Sequence, residues 1–209
     1  MPIACGLERK ASMDNKRISQ VVRSTQETAI SVELNLDGNG IHQIDTPVAF
    51  LNHMLTLFSV HSRCDLTVSA TGDIQVDDHH TVEDIGICLG QAIKEAAADK
   101  QGINRYGQAI IPMDEALARV VIDLSGRSYL QYFVEIPAPQ LGNLSSENVK
   151  EFFQAIANQA GMTLHIDLLR GDNSHHIVEA VFKAFARAFR EAVTFAPGVE
   201  GVWSSKGTL

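Results

Sequence analysis

The sequence carries one short pattern twice, as Asp77-Asp78-His79-His80-Thr81-Val82-Glu83 and as Asp172-Asn173-Ser174-His175-His176-Ile177-Val178-Glu179. In each copy a polar run leads into His-His-x-Val-Glu, and a segment with the hydrophobic periodicity of a helix follows. Asp78 and Ser174 are suitable helix N-caps, so each histidine pair is predicted to lie in the first turn of a helix. The recurrence after about 96 residues indicates a chain built from two similar halves.

The histidine pairs predict a metal centre. At about 100° per residue around a helix, the motif glutamate projects between its two imidazoles, and the apolar stripe faces another direction. Because adjacent imidazoles on a helix cannot both point at one ion, each motif is expected to offer its histidines to two different metal ions. Imidazole with carboxylate suits Mn, Fe, Zn, Ni or Cu better than Mg or Ca. One copy alone is compatible with solvated surface histidines, whereas two copies in equivalent contexts favour metal binding.

The elements around the motifs predict an α+β fold. Each half is interpreted as β-β-α-β-α, with a mainly antiparallel sheet packed against helices. The first half is predicted to contain a hairpin of strands 18–36 and 41–45 across Asp37-Gly38-Asn39-Gly40, a helix from Pro47, a strand over 65–70 and the first motif helix, which runs to about Asp99. The second half is predicted to contain strands over 116–124 and 129–136, a polar loop over 137–146, a helix over 149–160, a strand over 162–168 and the second motif helix.

The same order sets the predicted domain boundaries. Residues 1–17 are interpreted as a disordered N-terminal tail, 18–101 as the first half-domain, 102–196 as the second and 197–209 as a C-terminal tail. The N-terminal tail lacks the apolar segment of a signal peptide.

The composition is that of an ordinary globular protein. The chain has 209 residues, of which 45% are hydrophobic, and a formal net charge of -8. The acidic balance disfavours nucleic acid or a membrane surface as a partner, and no apolar run approaches the roughly 18 residues that cross a bilayer. Cys5, Cys64 and Cys88 are odd in number and have no CxxC spacing, which favours reduced thiols in a cytoplasmic protein.

Two octahedral metal ions with room for a substrate need more ligands than the two motifs supply. His53, in a predicted helix, and His165, in a predicted strand, are the best further candidates, although both patterns also fit structural histidines. His42 lies in a hairpin strand and is interpreted as structural.

Other candidates lie in turns. Arg105, Arg127 and Lys206 occupy Gly-rich or Ser-rich turns, and an arginine carried by a turn can clamp a phosphate with two hydrogen bonds. Surface arginines in loops are also common, so the pattern leaves both readings open. Glu27 lies in an alternating segment, where periodicity alone favours a solvent-exposed side chain.

From Arg23 to Lys206 the sequence resembles imidazoleglycerol-phosphate dehydratase, a hydro-lyase of histidine biosynthesis. The most specific stretches are Arg23-Ser-Thr-Gln-Glu27-Thr, Leu36-Asp-Gly-Asn-Gly40, Phe50-Leu-Asn-His53-Met-Leu, the first motif through Asp84, Asp123-Leu-Ser-Gly-Arg127, the second motif with Lys183, and Ser204-Ser-Lys206-Gly. These independent motifs occur in the order typical of the family, and no functional position departs from its pattern.

The resemblance implies ribosomal protein S5 domain 2-like half-domains, two manganese ions per active site, and an octahedral 24-mer with active sites between subunits. The implied metal ligands are His53, His79, His80, Glu83, His165, His175, His176 and Glu179. The implied substrate contacts are Glu27, His53, His61, His79, Glu83, Arg105, Arg127, His175, Lys183, Ser204, Ser205 and Lys206. The arginines and Lys206 are expected to hold the phosphate, which makes the C-terminal tail phosphate-binding. Affinity order alone favours zinc, so manganese rests on the resemblance.

The implied reaction is the dehydration of D-erythro-imidazoleglycerol 3-phosphate to imidazole-acetol phosphate. Metal ions on both ring nitrogens would stabilise an imidazolate, which can expel the hydroxyl through a diazafulvene-like intermediate. A carboxylate must then move protons; Glu27 is the first expectation and Glu179 the second.

Two other functions are weighed against this one. A dinuclear metallohydrolase such as a phosphoesterase usually depends on Asp-rich or bridging carboxylate ligands, whereas histidine dominates here. A metal-storage shell would explain the histidine pairs and a large assembly, but it gives no reason for the turn arginines or Glu27.

Overall fold

The structure, a computed structural model, describes residues 17–208. The predicted disordered tail over residues 1–17 lies outside the described residues apart from Arg17. The strands are β1 (Ile18–Ser24), β2 (Thr28–Asn35), β3 (His42–Asp45), β4 (Asp65–Gly72), β5 (Tyr106–Met113), β6 (Ala116–Asp123), β7 (Tyr129–Phe133), β8 (Gln140–Leu141), β9 (Leu144–Ser145) and β10 (Thr163–Arg170). The helices are α1 (Ala49–Ser62), α2 (His79–Ala97), α3 (Ser146–Ala160) and α4 (Ser174–Val193). Within residues 17–208, none of them is long and apolar enough to span a bilayer.

The strands form because apolar side chains alternate along them. In β2, Ile30, Val32 and Leu34 are at most 2% exposed, and the residues between them are exposed or half-buried. The same alternation recurs in β6, where Val120 and Ile122 are fully buried. Since successive side chains on a strand point to opposite faces, each sheet buries one face against helices.

The two main sheets have the same topology. Their strand orders are β1-β2-β4-β3 and β5-β6-β10-β7. In each sheet the outer pair β3–β4 or β7–β10 is parallel, and the other pairs are antiparallel. The predicted α+β class and the duplication are therefore confirmed.

The predicted order of each half needs correction. Each half is β-β-β-α-β-α: residues 18–36 contain two strands, and β5 precedes β6. Gly107 and Pro112 weaken the strand signal of β5, and Pro112 is tolerated because β5 is an edge strand. The predicted hairpin across residues 37–40 is also wrong, because β4 lies between β2 and β3 and pairs with β3 in parallel.

The halves pack through their helices. α1 and α2 contact the first sheet, α3 and α4 contact the second, and α2 packs on α3 while α1 packs on α4. The layers therefore run sheet, helices, helices, sheet, around one continuous hydrophobic core.

α2 and α3 approach each other closely at two glycines. A Cβ atom at Gly86 would lie 2.7 Å from the carbonyl oxygen of Phe152, and one at Gly90 would lie 2.8 Å from that of Ile156. Both distances are well inside van der Waals contact. Only glycine therefore permits this separation of the two helices.

Alanine at these positions should destabilise the protein. In an unpacked helix, replacing glycine by alanine stabilises by about 1 kcal/mol, but here the added methyl group would force α2 away from α3. We expect Gly86→Ala and Gly90→Ala each to lower stability by about 1–3 kcal/mol, measured as a lower midpoint of thermal unfolding. Gln91→Ala on the exposed face of the same helix is the control. An unchanged or higher midpoint in both glycine variants would contradict the close contact.

Candidate active site

Both motifs start a helix, as predicted, but the caps differ from the prediction. Asn173 caps α4: its side-chain oxygen accepts hydrogen bonds from the amides of His175 at 2.9 Å and His176 at 3.3 Å. Ser174, the predicted cap, is the first residue of α4, and its hydroxyl accepts from the amide of Ala138 at 2.9 Å. The cap fixes the backbone from which both imidazoles project.

Asp78 lies at the cap position of α2 but binds a different segment. Its carboxylate accepts from the amide of Ser145 at 2.8 Å and from the hydroxyl of the same residue at 2.6 Å. Asp77 instead accepts from the amide of His79 at 2.9 Å. Ser145 belongs to the small β8–β9 hairpin inside the predicted loop 137–146. Because that segment also bonds the start of α4, it bridges the first turns of both motif helices.

The two imidazoles of each motif point in different directions, as their positions on a helix require. The ring centroids of His79 and His80 are 6.0 Å apart with an interplanar angle of 83°, and those of His175 and His176 are 6.2 Å apart at 82°. The two imidazoles of one motif therefore face different directions, which agrees with the expectation that they do not bind the same metal ion.

Each motif glutamate lies beside the first histidine of its pair rather than between the two rings. Glu83 Oε2 is 3.7 Å from His79 Nε2, and Glu179 Oε2 is 3.2 Å from His175 Nε2, because residues i and i+4 share a helix face. His53 on α1 joins the second pair, with its Nε2 3.5 Å from Glu179 Oε2. The ligand atoms of His53, His175 and Glu179 all lie within 4.8 Å of one another, so these three can close around one metal ion.

Glu179 is kept ionised by its neighbours. Burial favours its neutral form, but bonds from Lys183, His53 and His175 outweigh that effect and hold the pKa of Glu179 below its usual value. Lys183 lies one turn along α4 and forms an ion pair with this carboxylate. An ionised carboxylate beside imidazoles is a suitable donor for a transition metal.

The predicted substrate residue His61 lies in the last turn of α1, near the same group. Burial lowers its pKa, and the neighbouring cations Lys183 and Arg187 lower it further. The imidazole is therefore neutral at neutral pH. The structure brings His61 and Lys183 together where α1 packs on α4.

Three motif histidines have Nδ1 facing an oxygen acceptor. The contacts are His79 to Asn148 Oδ1 at 3.0 Å, His80 to Asp73 Oδ2 at 3.1 Å and His176 to Glu115 Oε2 at 2.7 Å. The two carboxylates also raise the pKa of their histidines. An acceptor at Nδ1 places a proton there and leaves the Nε2 lone pair for a metal ion. Sequence reasoning missed all three acceptors, because no spacing connects them to the motifs.

Glu27 and Glu115 lie in equivalent turns of the duplicated halves. The sheet registers place Ile30 and Ala118 at equivalent positions of their strands. Glu27 lies three residues before Ile30, and Glu115 lies three residues before Ala118. Glu115 is held by its hydrogen bond to His176, which lowers the pKa of that carboxyl to about 2.

The Glu27 carboxylate is free of such a bond among residues 17–208. It lies 3.8 Å from His80 Nδ1, the nitrogen that Asp73 already occupies, and its side chain is 54% exposed. In the second half, Glu115 itself bonds the equivalent nitrogen, Nδ1 of His176. The first half therefore leaves its turn glutamate unengaged, whereas the second half does not.

His165 does not join the other predicted ligands within the chain. It lies on β10, half-buried and on the face opposite the core residues Leu164 and Ile166. Its neighbours in the sheet are Val121 and Gln131.

The predicted phosphate-binding residues share one basic cleft with a volume of about 990 Å³. Its side chains include Arg127, Ser204, Ser205 and Lys206, together with Asp99 as its single acidic residue. The cationic residues that line it are Lys94, Lys100, Arg105, Arg127 and Lys206. Arg105 is paired with Asp123, and the other four cations against one lining carboxylate make the cleft attractive to a phosphate.

Arg105 is a structural centre of the cleft. It is 8% exposed, and its guanidinium donates to both carboxylate oxygens of Asp123, at 2.6 and 3.0 Å, and to the carbonyl oxygen of Trp203. The carboxylate of Asp123 raises the pKa of Arg105. This clamp docks the C-terminal tail, so Arg105 places Ser204 and Lys206 at the cleft as well as lining it.

The cleft lies at the C-terminal ends of the motif helices. Lys94 is 15 residues after His79 on α2, which corresponds to roughly 22 Å along a helix. The amide of Arg105 bonds the carbonyl oxygen of Ala192, and Ala192 is 17 residues after His175 on α4, or roughly 26 Å. Within one chain, the histidine motifs and the basic cleft are therefore at opposite ends.

A family model described as imidazoleglycerol-phosphate dehydratase matches residues 46–189. A protein of that name from Syntrophomonas wolfei subsp. wolfei is 63% identical over 197 residues, which cover 94% of this chain and 100% of that protein. The chain belongs to the imidazoleglycerol-phosphate dehydratase family. A second relative of the same name, from Desulfotalea psychrophila, is 57% identical and covers 94% of this chain and 98% of its own length.

Solved structures of imidazoleglycerol-phosphate dehydratases share the fold. The crystal structure from Staphylococcus aureus has a TM-score of 0.78 and 46% identity, covering 86% of this chain and 99% of that one. The structure from Pyrococcus furiosus, in complex with (S)-C348, has a TM-score of 0.78 and 39% identity, covering 90% and 100%. The family consists of metal-dependent hydro-lyases that act on a small molecule in histidine biosynthesis, which confirms the enzyme class and the biosynthetic step.

Proposed function

We propose that this chain dehydrates D-erythro-imidazoleglycerol 3-phosphate to imidazole-acetol phosphate, with two manganese ions at each active site. The observation that carries the proposal is the convergence of His53, His175 and Glu179 within 4.8 Å, in a chain that also carries a basic cleft. A site for imidazole-type chemistry on a phosphorylated substrate needs both features.

The donor set fits the metal ions. The proposed ligands are His53, His79, His80, Glu83, His165, His175, His176 and Glu179. Acceptors at Nδ1 of His79, His80 and His176 leave Nε2 available, and imidazole with carboxylate suits manganese as well as zinc. When bound, the metal ions supply Lewis acidity that stabilises an anionic imidazole ring of the substrate.

We further propose that each active site is shared between copies of the chain. The substrate is an imidazole joined to a phosphate through a three-carbon chain, far shorter than the roughly 22 Å of helix between His79 and the cleft. One copy therefore cannot hold both ends of one substrate molecule. Closed symmetric assembly supplies the second copy, and the octahedral 24-mer implied by the family resemblance is the assembly proposed.

His165 supports this arrangement. It lies two residues from Thr163, which pairs with Asp123, the carboxylate that holds Arg105. His165 thus lies on the same side of the chain as the phosphate cleft, away from the helix motifs. In a shared site, one copy would contribute the cleft and His165, and another would contribute the motif ligands. Buried free thiols at Cys64 and Cys88 favour the cytoplasmic location that completes the proposal.

The chain's own residues have distinct tasks in the reaction. Arg127, Lys206 and the serines before Lys206 bind the phosphate and orient the carbon chain. The hydroxyl leaves the carbon that bears the imidazole as hydroxide and becomes water with the proton that the ring has given up, and the substrate is then in a diazafulvene-like form. Glu27 then takes the proton from the neighbouring carbon, and the resulting enol tautomerises to the ketone. Glu27 is preferred over Glu179 because Lys183, His53 and His175 already engage Glu179.

Turnover of the named substrate tests the function. Metal-stripped protein should dehydrate imidazoleglycerol phosphate only after Mn²⁺ is added, and light scattering should show a large particle. Two comparisons accompany this assay: the same reaction after addition of Zn²⁺ in place of Mn²⁺, and hydrolysis of generic phosphate esters. Absence of dehydration in protein with fully bound metal would exclude the proposal, and ester hydrolysis in its place would favour a metallohydrolase.

Glu27→Gln tests the proton transfer. Loss of a positioned acid-base group typically lowers the rate by about 10²–10⁴-fold, so we expect a decrease of that size in kcat with unchanged metal content. Glu33→Gln, at an exposed glutamate on the strand that follows the Glu27 turn, is the control. Wild-type turnover by Glu27→Gln would assign the proton to another group.

A further inference from the structure

Asp84 is a buried carboxylate to which the proposed reaction gives no task. It follows the motif residue Glu83 directly and is 7% exposed. Arg23 Nε donates to its Oδ1 at 2.8 Å, and the Thr28 hydroxyl donates to its Oδ2 at 2.5 Å. Burying a charge costs free energy unless the charge is paired in this way. The question is therefore what this buried, paired carboxylate contributes to the protein.

The three residues enclose the turn that carries Glu27. The Thr25 hydroxyl oxygen accepts from the amides of Glu27 at 3.1 Å and Thr28 at 3.0 Å, and the Thr25 amide donates to the Thr28 carbonyl at 2.9 Å. On the other side, the amide of Asp73 donates to the Glu27 carbonyl at 3.1 Å. Asp84, through Thr28, links this turn to the helix that carries the first metal motif.

The duplicated half shows that the fold does not need this link. By sheet register, Arg23 pairs with Ile30 as Ile111 pairs with Ala118, and Thr28 and Ala116 each lie two residues before those partners. Asp84 and Ala180 each follow the motif glutamate. The second half therefore has Ile111, Ala116 and Ala180 at the three equivalent positions. In the second half, the equivalent β5–β6 hairpin packs on the equivalent helix α4 without these polar contacts.

The polar contacts of Asp84 occur in the half whose turn glutamate makes no hydrogen bond to a histidine. Glu115 is fixed by a direct hydrogen bond to His176, so its turn needs no further support. The carboxylate of Glu27 has no comparable bond among the described residues, and its position depends on its backbone. A displacement of about 1 Å at a reacting group can cost on the order of 10²-fold in rate.

We propose that Arg23, Thr28 and Asp84 form a strut that fixes Glu27 relative to the first metal motif. Asp84 is then a positioning residue that acts through Glu27. The functional part of this inference rests on the proposed role of Glu27 in proton transfer; the structural part does not.

Two variants break the strut with little change in volume, Asp84→Asn and Thr28→Val. For each we expect kcat to fall about tenfold to 100-fold with KM and metal content near wild type. Amide hydrogen exchange of residues 25–28 should become faster. Asp37→Asn removes a similar ion pair, with Arg17 Nε at 2.9 Å, at the opposite end of β1 and β2; this control should change neither quantity.

A double-mutant cycle tests the route of the effect. If Asp84 acts through Glu27, Asp84→Asn should cause no further loss in the Glu27→Gln background. An undiminished loss there, or a loss of metal in proportion to kcat, would overturn the positioning role. Exchange at residues 25–28 that matches wild type in both strut variants would overturn the strut itself. A different result would show that Glu27 does not transfer the proton. In that case Glu27→Gln would turn over like wild type, while Asp84→Asn would still make amide hydrogen exchange of residues 25–28 faster.

Discussion

The rigid length of two helices governs the chemistry that this chain can perform alone. α2 and α4 each carry a histidine motif in the first turn and reach the basic cleft only near the last turn. Because an α-helix rises about 1.5 Å per residue, the two features cannot approach each other by any local motion. The core locks this distance, since the helices pack between the sheets and α2 meets α3 at glycine contacts that leave no room for adjustment. Under the proposed function, a complete site therefore needs a second copy of the chain.

The two halves carry similar histidine motifs, but the residues that surround these motifs differ. Equivalent positions hold Glu27 and Glu115, but Asp73 bonds the histidine nitrogen in the first half and leaves Glu27 unengaged, whereas Glu115 itself bonds that nitrogen in the second. The polar strut occurs only in the half with the unengaged glutamate. One half thus uses its turn carboxylate as a histidine partner, and the other leaves it unengaged, as the proposed proton transfer requires.

The sequence predicted what depends on local pattern. Strand alternation, helix periodicity and the repeated motif were enough for the α+β class, the duplication and the divergence of adjacent imidazoles. Strand pairing was not predictable, because β4 returns from far along the chain to separate β2 from β3. The Ser145 contact with Asp78 and the Asn148 acceptor were missed for a related reason, because both residues reach α2 from the other half. Asp73 and Glu115 lie in the same half as their histidines, but no sequence spacing connects them. The exposed position of Glu27 agrees with the periodicity, whereas its equivalence to Glu115 needed the registers.

Complementation between two inactive variants tests most directly whether active sites are shared between copies. One chain would carry His53→Ala with His175→Ala, and the other Arg127→Ala with Lys206→Ala, each with its own affinity tag. The two would be co-expressed and the mixed particles purified through both tags. We expect mixed particles to dehydrate imidazoleglycerol phosphate well above either parent assembled alone, because some sites then combine an intact motif from one copy with an intact cleft from another. Mixed particles no more active than the parents would show that each site is built from a single chain.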